Sequence, residues 1–296
     1  MESPKKFSGI ICPILTPFDS SGQVDVRGLN RLVEFLIEHG IRTLMPCGST
    51  GEGPLLTLAE RKLVAESVMK QGNGRIEVLV HTGCITTAET LELTRHAQSI
   101  GADGASIITP YYFTYDDDAL CEHYTTVANA VPEFPIALYC YPANAKHKIS
   151  AGLLSRMRAQ ASNIIAIKLT DPDLIRFQEY VQAGGADFCT LGGVDAVTLP
   201  TLSVGSMGQV SGNSNVIPDV FVKLYQAFMA GDIQEAQRQQ IMVNRVRAVL
   251  KDEISYFKAA LNLRGIPVGD ARPPLRKLNP AEFAEMKAGL EELGLL

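Results

Sequence analysis

Eight short apolar runs separated by stretches of helical patterning constrain this chain more than any single motif. The runs are Gly9–Pro17, Thr43–Pro46, Glu77–His81, Gly104–Thr109, Ile136–Tyr141, Ile164–Lys168, Asp187–Gly192 and Met207–Ser211. Between them, helical patterning covers Val26–His39, Thr57–Gln71, Thr86–Ile100, Asp116–Ala130, Ala151–Ala161, Asp173–Gln182 and Ala196–Ser203. The run ending on Lys168 is β-branched and free of alternation, as expected of a strand buried on both faces of a parallel sheet. Eight strands alternating with helices predict an α/β fold, a (β/α)8 TIM barrel, in preference to an open sheet.

Local signals agree with that division. Ser150 precedes Ala151, and Asp171-Pro172-Asp173 precedes Leu174, as helix starts do. Gly40, Gly101 and Gly184-Gly185 stand where helices should stop. After Ile217 the strands end, and Pro218–Ala230, Ile233–Leu250, Ile254–Leu263 and Pro280–Leu293 all read as helices. This tail is too long for one closing helix. It is expected to comprise the eighth barrel helix and then a C-terminal helical extension, which divides the chain into a catalytic barrel, 1–230, and an extension, 231–296.

Charge and composition exclude some classes of function. A net charge of −5 with no Lys/Arg-rich stretch argues against nucleic-acid binding. No long apolar region follows Met1–Lys6, so neither a leader nor a membrane span is expected, and a cytoplasmic location follows by default. The six cysteines contain no CxxC pair and read as reduced, buried small hydrophobes. The five histidines lack HxxxH or HxH spacing, and neither a metal nor a disulfide is expected.

The chemistry of a barrel is expected at the carboxyl ends of its strands. Lys168 ends the sixth run. A lysine there either snorkels to solvent or is partly desolvated, and desolvation disfavours the ammonium and makes a usable nucleophile. After the second run, Gly48-Ser49-Thr50-Gly51-Glu52-Gly53 offers backbone amides and two hydroxyls suited to a carboxylate; a structural turn is the alternative. No lysine follows at P-loop spacing, which argues against nucleotide phosphate. Tyr139 lies in the fifth run, where a buried phenol needs a partner and could relay protons beside a lysine. Thr109-Pro110-Tyr111-Tyr112 adds two phenols that read equally well as an interface cluster.

The order GSTGE (Gly48–Glu52), TPYY (Thr109–Tyr112), LYCYP (Leu138–Pro142) and IAIK ending on Lys168 resembles the dihydrodipicolinate synthase / N-acetylneuraminate lyase family, over nearly the whole chain. These are class I, pyruvate-dependent aldolases that form a lysine Schiff base without a metal or other cofactor. The resemblance implies Lys168 as the Schiff-base lysine and Tyr139 as the proton donor and acceptor above it. Ser49 and Thr50, with Gly48, would hold the pyruvate carboxylate, and Ser49 would join a hydroxyl relay. Tyr112 would reach a neighbouring subunit's relay, and Val210 would border the pyruvate. A homotetramer built as a dimer of dimers is implied, with small-molecule substrates.

Departures from the family pattern bear on the second reactant. In the synthases an arginine in an S-R-T-G turn binds that reactant's carboxylate. Here the stretch is Pro142-Ala143-Asn144-Ala145-Lys146, with Asn144 at that position and Lys146, His147 or Lys148 as nearby substitutes. His81–Glu89 resembles the lyase sequence, and Thr170, Gly193 and Asp195 match positions that contact the sugar chain in lyases. Ala196 replaces the glutamate that follows. The expected activity is therefore cleavage or condensation of a 2-oxo sugar acid, such as N-acetylneuraminate or a 2-keto-3-deoxy acid, to pyruvate plus an aldehyde. The alternatives are condensation of pyruvate with aspartate semialdehyde, dehydration of a keto-deoxy acid, a metal-dependent aldolase, and a non-catalytic barrel that binds a 2-oxo acid.

Overall fold

A computed structural model describes residues 6–296. The reading of Met1–Lys6 as lacking a leader falls, except for Lys6, outside those residues.

The described residues form a closed barrel of eight parallel strands in chain order. It starts with β1 (Gly9–Cys12), α1 (Val26–Glu38), β2 (Thr43–Leu44), α2 (Leu58–Gly72), β3 (Glu77–His81) and α3 (Thr87–Ser99). Next come β4 (Gly104–Ile108), α4 (Asp117–Asn129), β5 (Ile136–Cys140), the short α5 (Pro142–Ala145), α6 (Ala151–Gln160) and β6 (Ile164–Leu169). The barrel finishes with α7 (Leu174–Gly184), β7 (Cys189–Gly192), α8 (Thr198–Ser203), β8 (Gly208–Val210) and α9 (Pro218–Met229). Three further helices follow: α10 (Ile233–Leu250), α11 (Ile254–Leu263) and α12 (Pro280–Glu292). The expected (β/α)8 barrel and the C-terminal helices are present. Only α5, a single turn begun by Pro142, has no counterpart in the sequence reading; it is too short to show a period.

The strands are shorter than the apolar runs because the runs continue into buried loops. Ile14, Leu15 and Phe18 follow β1 and are all in the core. Helix starts obey local chemistry. Thr57 and Glu60 close a reciprocal capping box on α2, and the side chains of Ser150 and Asp173 accept from the third amides of α6 and α7. Each such cap contributes about 1 kcal/mol.

Alternation along the strands separates two cores. Outward residues such as Leu138 and Ile167 pack under the helices. Inward residues Ile11, Met45, Leu79, Ala137, Ala166, Leu191 and Val210 fill the barrel with Phe7. The barrel closes where Gly9 pairs with Gly208. A Cβ on Gly208 would lie 2.0 Å from the Gly9 carbonyl oxygen, so only glycine permits the β1–β8 seam. No helix among the described residues is long and apolar enough to cross a membrane.

Candidate active site

Ala137 and Tyr139 face the same way on β5, as do Ala166 and Lys168 on β6. Their register pairs Ala137 with Ala166, and Tyr139 with Lys168. Two small residues thus sit one layer below Tyr139 and Lys168, at the carboxyl end of the barrel. Lys168 is 8% exposed and its Nζ lies 3.9 Å from the centroid of the Tyr139 ring. No ion pair of the described residues includes it. Gly193 makes room for this arrangement: a Cβ there would lie 3.0 Å from Lys168 Cε and 2.5 Å from Thr170 Oγ1.

Lys168 and Tyr139 line an open cavity of about 470 Å³. Of the residues expected at the site, Ser49, Thr50, Thr170, Gly193, Asp195 and Val210 line it too. Gly48 does not. It lies in the turn beneath, where its carbonyl accepts from Gly53 N at 3.0 Å. Tyr112 is also away from the cavity, 72% exposed, at φ +85°, with its ring edge-on to Phe113. A left-handed conformation is costly for a bulky residue. Among the described residues, no group of three or more His, Cys, Asp or Glu side chains is placed to hold a metal ion.

Packing requires two glycines of the GSTGEG turn, in keeping with the structural-turn alternative. A Cβ on Gly53 would lie 1.9 Å from the Cys47 carbonyl oxygen, and one on Gly51 would lie 2.8 Å from that of Ile14. The turn is held from outside. Thr16 Oγ1 donates to Gly51 O at 2.6 Å. Glu52, left-handed at φ +58° and buried, pairs with the buried Lys258 of α11 at 2.6 Å. Lys258 Nζ also donates to the carbonyls of Thr16 and Asp270, and the Arg272 amide donates to Glu52 Oε2. The turn that carries Ser49 and Thr50 is therefore held by the carboxyl-terminal segment.

Two walls of the cavity differ from the sequence expectation. Asp195 is buried and already occupied: its oxygens accept from Gln209 Nε2 at 3.0 Å, Ser211 Oγ at 2.7 Å and Asn213 Nδ2 at 2.8 Å. Burial raises its pKa, with those three donors opposing the shift. Lys146, His147 and Lys148 do not replace the missing arginine at position 144, because none lines the cavity. Lys146 Nζ donates to Tyr112 O and His147 Nε2 faces Phe113 O, while Lys148 lines a separate crevice with Asp171 and Arg176. A strand-end loop that turns into α5 carries those side chains away from the barrel mouth.

Sequence reasoning missed several lining residues. Arg247, Asp252, Ile254 and Phe257 come from the C-terminal helical extension, and Asn213 comes from the turn after β8. The polar break Lys251-Asp252-Glu253 between two helical patterns was the available signal. His81 was noted only for resemblance. Its ring is buried edge-on to Tyr139, with centroids 6.1 Å apart, and Arg61 Nη2 lies 3.2 Å from Nδ1. Guanidinium can only donate, so Nδ1 accepts and Nε2 carries the proton. Burial first, then the charges of Arg61 and Lys168, hold its pKa well below the usual value, so the imidazole is neutral.

The comparisons with known proteins bear on this arrangement. The model of the dihydrodipicolinate synthetase family matches residues 6–293. A 4-hydroxy-tetrahydrodipicolinate synthase of Nitratidesulfovibrio vulgaris is 36% identical over 293 residues, covering 98% of this chain and all of that one. The crystal structure of dihydrodipicolinate synthase from Aquifex aeolicus superposes with a TM-score of 0.93 at 34% identity, covering 98% of this chain and 99% of that one. YagE, a prophage protein of E. coli K12 belonging to the dihydrodipicolinic acid synthase family and crystallised with pyruvate, gives 0.94 at 32%, with the same coverage. The named activity among these relatives is that of the synthase, and the lean towards the neuraminate-lyase side gains no support from them. With its whole barrel and its helical tail matched, the chain belongs to the dihydrodipicolinate synthetase family and is an enzyme of that class I lyase type.

Proposed function

We propose that this chain joins pyruvate to an aldehyde through an imine on Lys168, with aspartate semialdehyde as the first candidate for the aldehyde. The observation that carries this reading is the buried Lys168 ammonium position over the Tyr139 ring, free of any carboxylate partner, at the floor of a cavity that Ser49 and Thr50 also line. A lysine that no carboxylate pairs with, open to a cavity, is placed to act as a nucleophile. Neutral Lys168 attacks C2 of pyruvate while Ser49 and Thr50 hold the carboxylate. Tyr139 delivers a proton to the carbinolamine oxygen, and water leaves. The protonated imine is an electron sink: the Tyr139 phenolate takes a C3 proton to give the enamine, which adds to the aldehyde carbon as Tyr139 returns that proton to the aldehyde oxygen. Hydrolysis or internal transfer of the imine then frees Lys168.

The choice of aldehyde follows the synthase relatives that match along the entire chain. A second reading, aldol chemistry on a 2-keto-3-deoxy sugar acid, is favoured by Asn144, an uncharged group where the synthases carry arginine. The left-handed, exposed Tyr112 supports a site completed across a subunit contact, hence at least a dimer, and the family resemblance suggests a dimer of dimers.

Borohydride reduction in the presence of pyruvate tests the chemistry. A reduced pyruvyl adduct mapped to Lys168 by peptide mass spectrometry is expected. A folded protein that takes no adduct in excess pyruvate is a non-catalytic barrel. Product mass with aspartate semialdehyde, against that with a sugar-derived aldehyde, decides between the two readings.

A further inference from the structure

Asn144 leaves the cavity without a cation where the family's second reactant binds, yet the cavity is not without a guanidinium. Among the described residues Arg247 of α10 is the one arginine lining it. Its Nε donates to Asp252 Oδ1 at 3.2 Å and its Nη2 pairs with Asp252 Oδ2. Asp252 Oδ1 also accepts from Asn213 Nδ2 at 2.7 Å, tying the pair to the wall that holds Asp195. Asp252 therefore grips the guanidinium along its Nε–Nη2 side. The end formed by Nη1 and the second Nη2 proton makes no hydrogen bond among the described residues. That end is the fork that matches a carboxylate with two parallel hydrogen bonds.

The backbone is strained to achieve this. Lys251 and Asp252 are consecutive non-glycine residues in the left-handed region, each at φ +55°. One such residue would suffice to end α10, whose Lys251 amide already bonds to Arg247 O. The second swings the Asp252 carboxylate back against Arg247 at the cavity wall. Strain of this kind persists where the surrounding structure over-determines it, commonly at binding sites. An arginine in a last helical turn can serve the helix dipole alone. Here a carboxylate, rather than the helix carbonyls, fixes its direction.

We infer that Arg247, oriented by Asp252, recognises the carboxylate of the aldehyde reactant, so that this chain takes an aldehyde acid without a guanidinium at position 144. The inference rests on the Lys168 reading and narrows it to an aldehyde bearing an anion. An uncharged polyol aldehyde offers the open fork only neutral hydroxyl acceptors, whereas aspartate semialdehyde has a carboxylate that takes two parallel, charge-assisted hydrogen bonds.

The test compares condensation of pyruvate with aspartate semialdehyde and with D-glyceraldehyde, in the wild type, Arg247→Met and Arg247→Lys. The readout is the ratio of kcat/KM for the semialdehyde to that for glyceraldehyde. In Arg247→Met that ratio should fall by about 30-fold, mainly through KM for the semialdehyde, as expected for the loss of a charged hydrogen-bonded pair. Arg247→Lys should recover only part, since an ammonium keeps the charge and loses the fork. A ratio unchanged within about twofold, or an equal fall for both aldehydes, overturns the inference, because a merely structural role moves both together. So does a wild type that uses glyceraldehyde and not the semialdehyde. Borohydride trapping on the wild type separates the two levels. No adduct on Lys168 removes the underlying reading and this inference with it; an adduct with an unmoved ratio removes this inference alone.

Discussion

Two buried lysines sit at the same end of the barrel and are treated in opposite ways. Lys258 is 1% exposed, lies 2.6 Å from the Glu52 carboxylate and donates to two carbonyls; it also lies over the Phe18 ring. Burial lowers its pKa, with Glu52 opposing. Lys168 is almost as buried, but its neighbour is the face of Tyr139, and no carboxylate pairs with it. A fully satisfied lysine holds structure together and is of no use as a nucleophile. An unsatisfied one costs stability and is available for chemistry. The two are linked, because the Glu52 that neutralises Lys258 belongs to the turn that presents Ser49 and Thr50 beside Lys168.

The comparison breaks first at Lys168. Lys168→Ala should lower turnover by about 10⁴-fold or more while leaving the melting temperature nearly unchanged, because it deletes the proposed nucleophile and breaks no ion pair of the described residues. A variant that still turned over within about tenfold of wild type would end the imine mechanism. Lys258→Met should do the reverse in kind. It leaves Glu52 buried without its partner, a loss of about 3–5 kcal/mol in stability. The double change Glu52→Gln with Lys258→Met should recover much of that loss in denaturant or thermal unfolding. If the single variant is as stable as wild type, the ion pair is not what fixes the turn. Tyr139→Phe sharpens the comparison from the reactive side. It keeps the ring under Lys168 and removes only the hydroxyl, so kcat should fall by about 10²–10³-fold with the pyruvate adduct still trapped.

What the sequence disclosed follows from which forces are local. Strand positions were legible because each apolar run is buried on both faces, and Ile164–Leu169 retains that run almost unchanged. Helix starts were legible where a side chain caps its own helix, as at Ser150 and Asp173. Lys168 and Tyr139 could be singled out because their types are unusual in apolar strands. Arg247 and Asp252 could not be, since only the return of the tail across the barrel mouth brings them there, and no period or motif encodes that return. The same holds for Glu52. Its partner lies more than two hundred residues away, and its role came to light only with the Lys258 contact. Asp195 illustrates the converse: the residue was located by resemblance, while its three donors from β8 and the following turn were invisible.

The smallest expected effect lies at the rim of the satisfied region. Arg272, whose amide donates to Glu52, sends its guanidinium to Glu60 through bonds of 3.0 and 2.7 Å. Arg272 first, and then the Thr57 amide and hydroxyl, lower the Glu60 pKa from 4.5 to about 2, against an opposing effect of burial. A carboxylate with a depressed folded pKa contributes stability that is fully present above its unfolded value near 4.5. That contribution is lost as the pH falls towards 2. Solvent screens the pair, so the contribution is roughly 1 kcal/mol or less, equivalent to about 2 °C in a barrel of this size. The gap in melting temperature between wild type and Glu60→Gln should therefore be about 2 °C at pH 7 and less than half of that near pH 3. A gap that holds constant or widens on acidification would mean that Glu60 acts through its cap to Thr57 and its packing, since neither depends on the carboxylate's charge in this way.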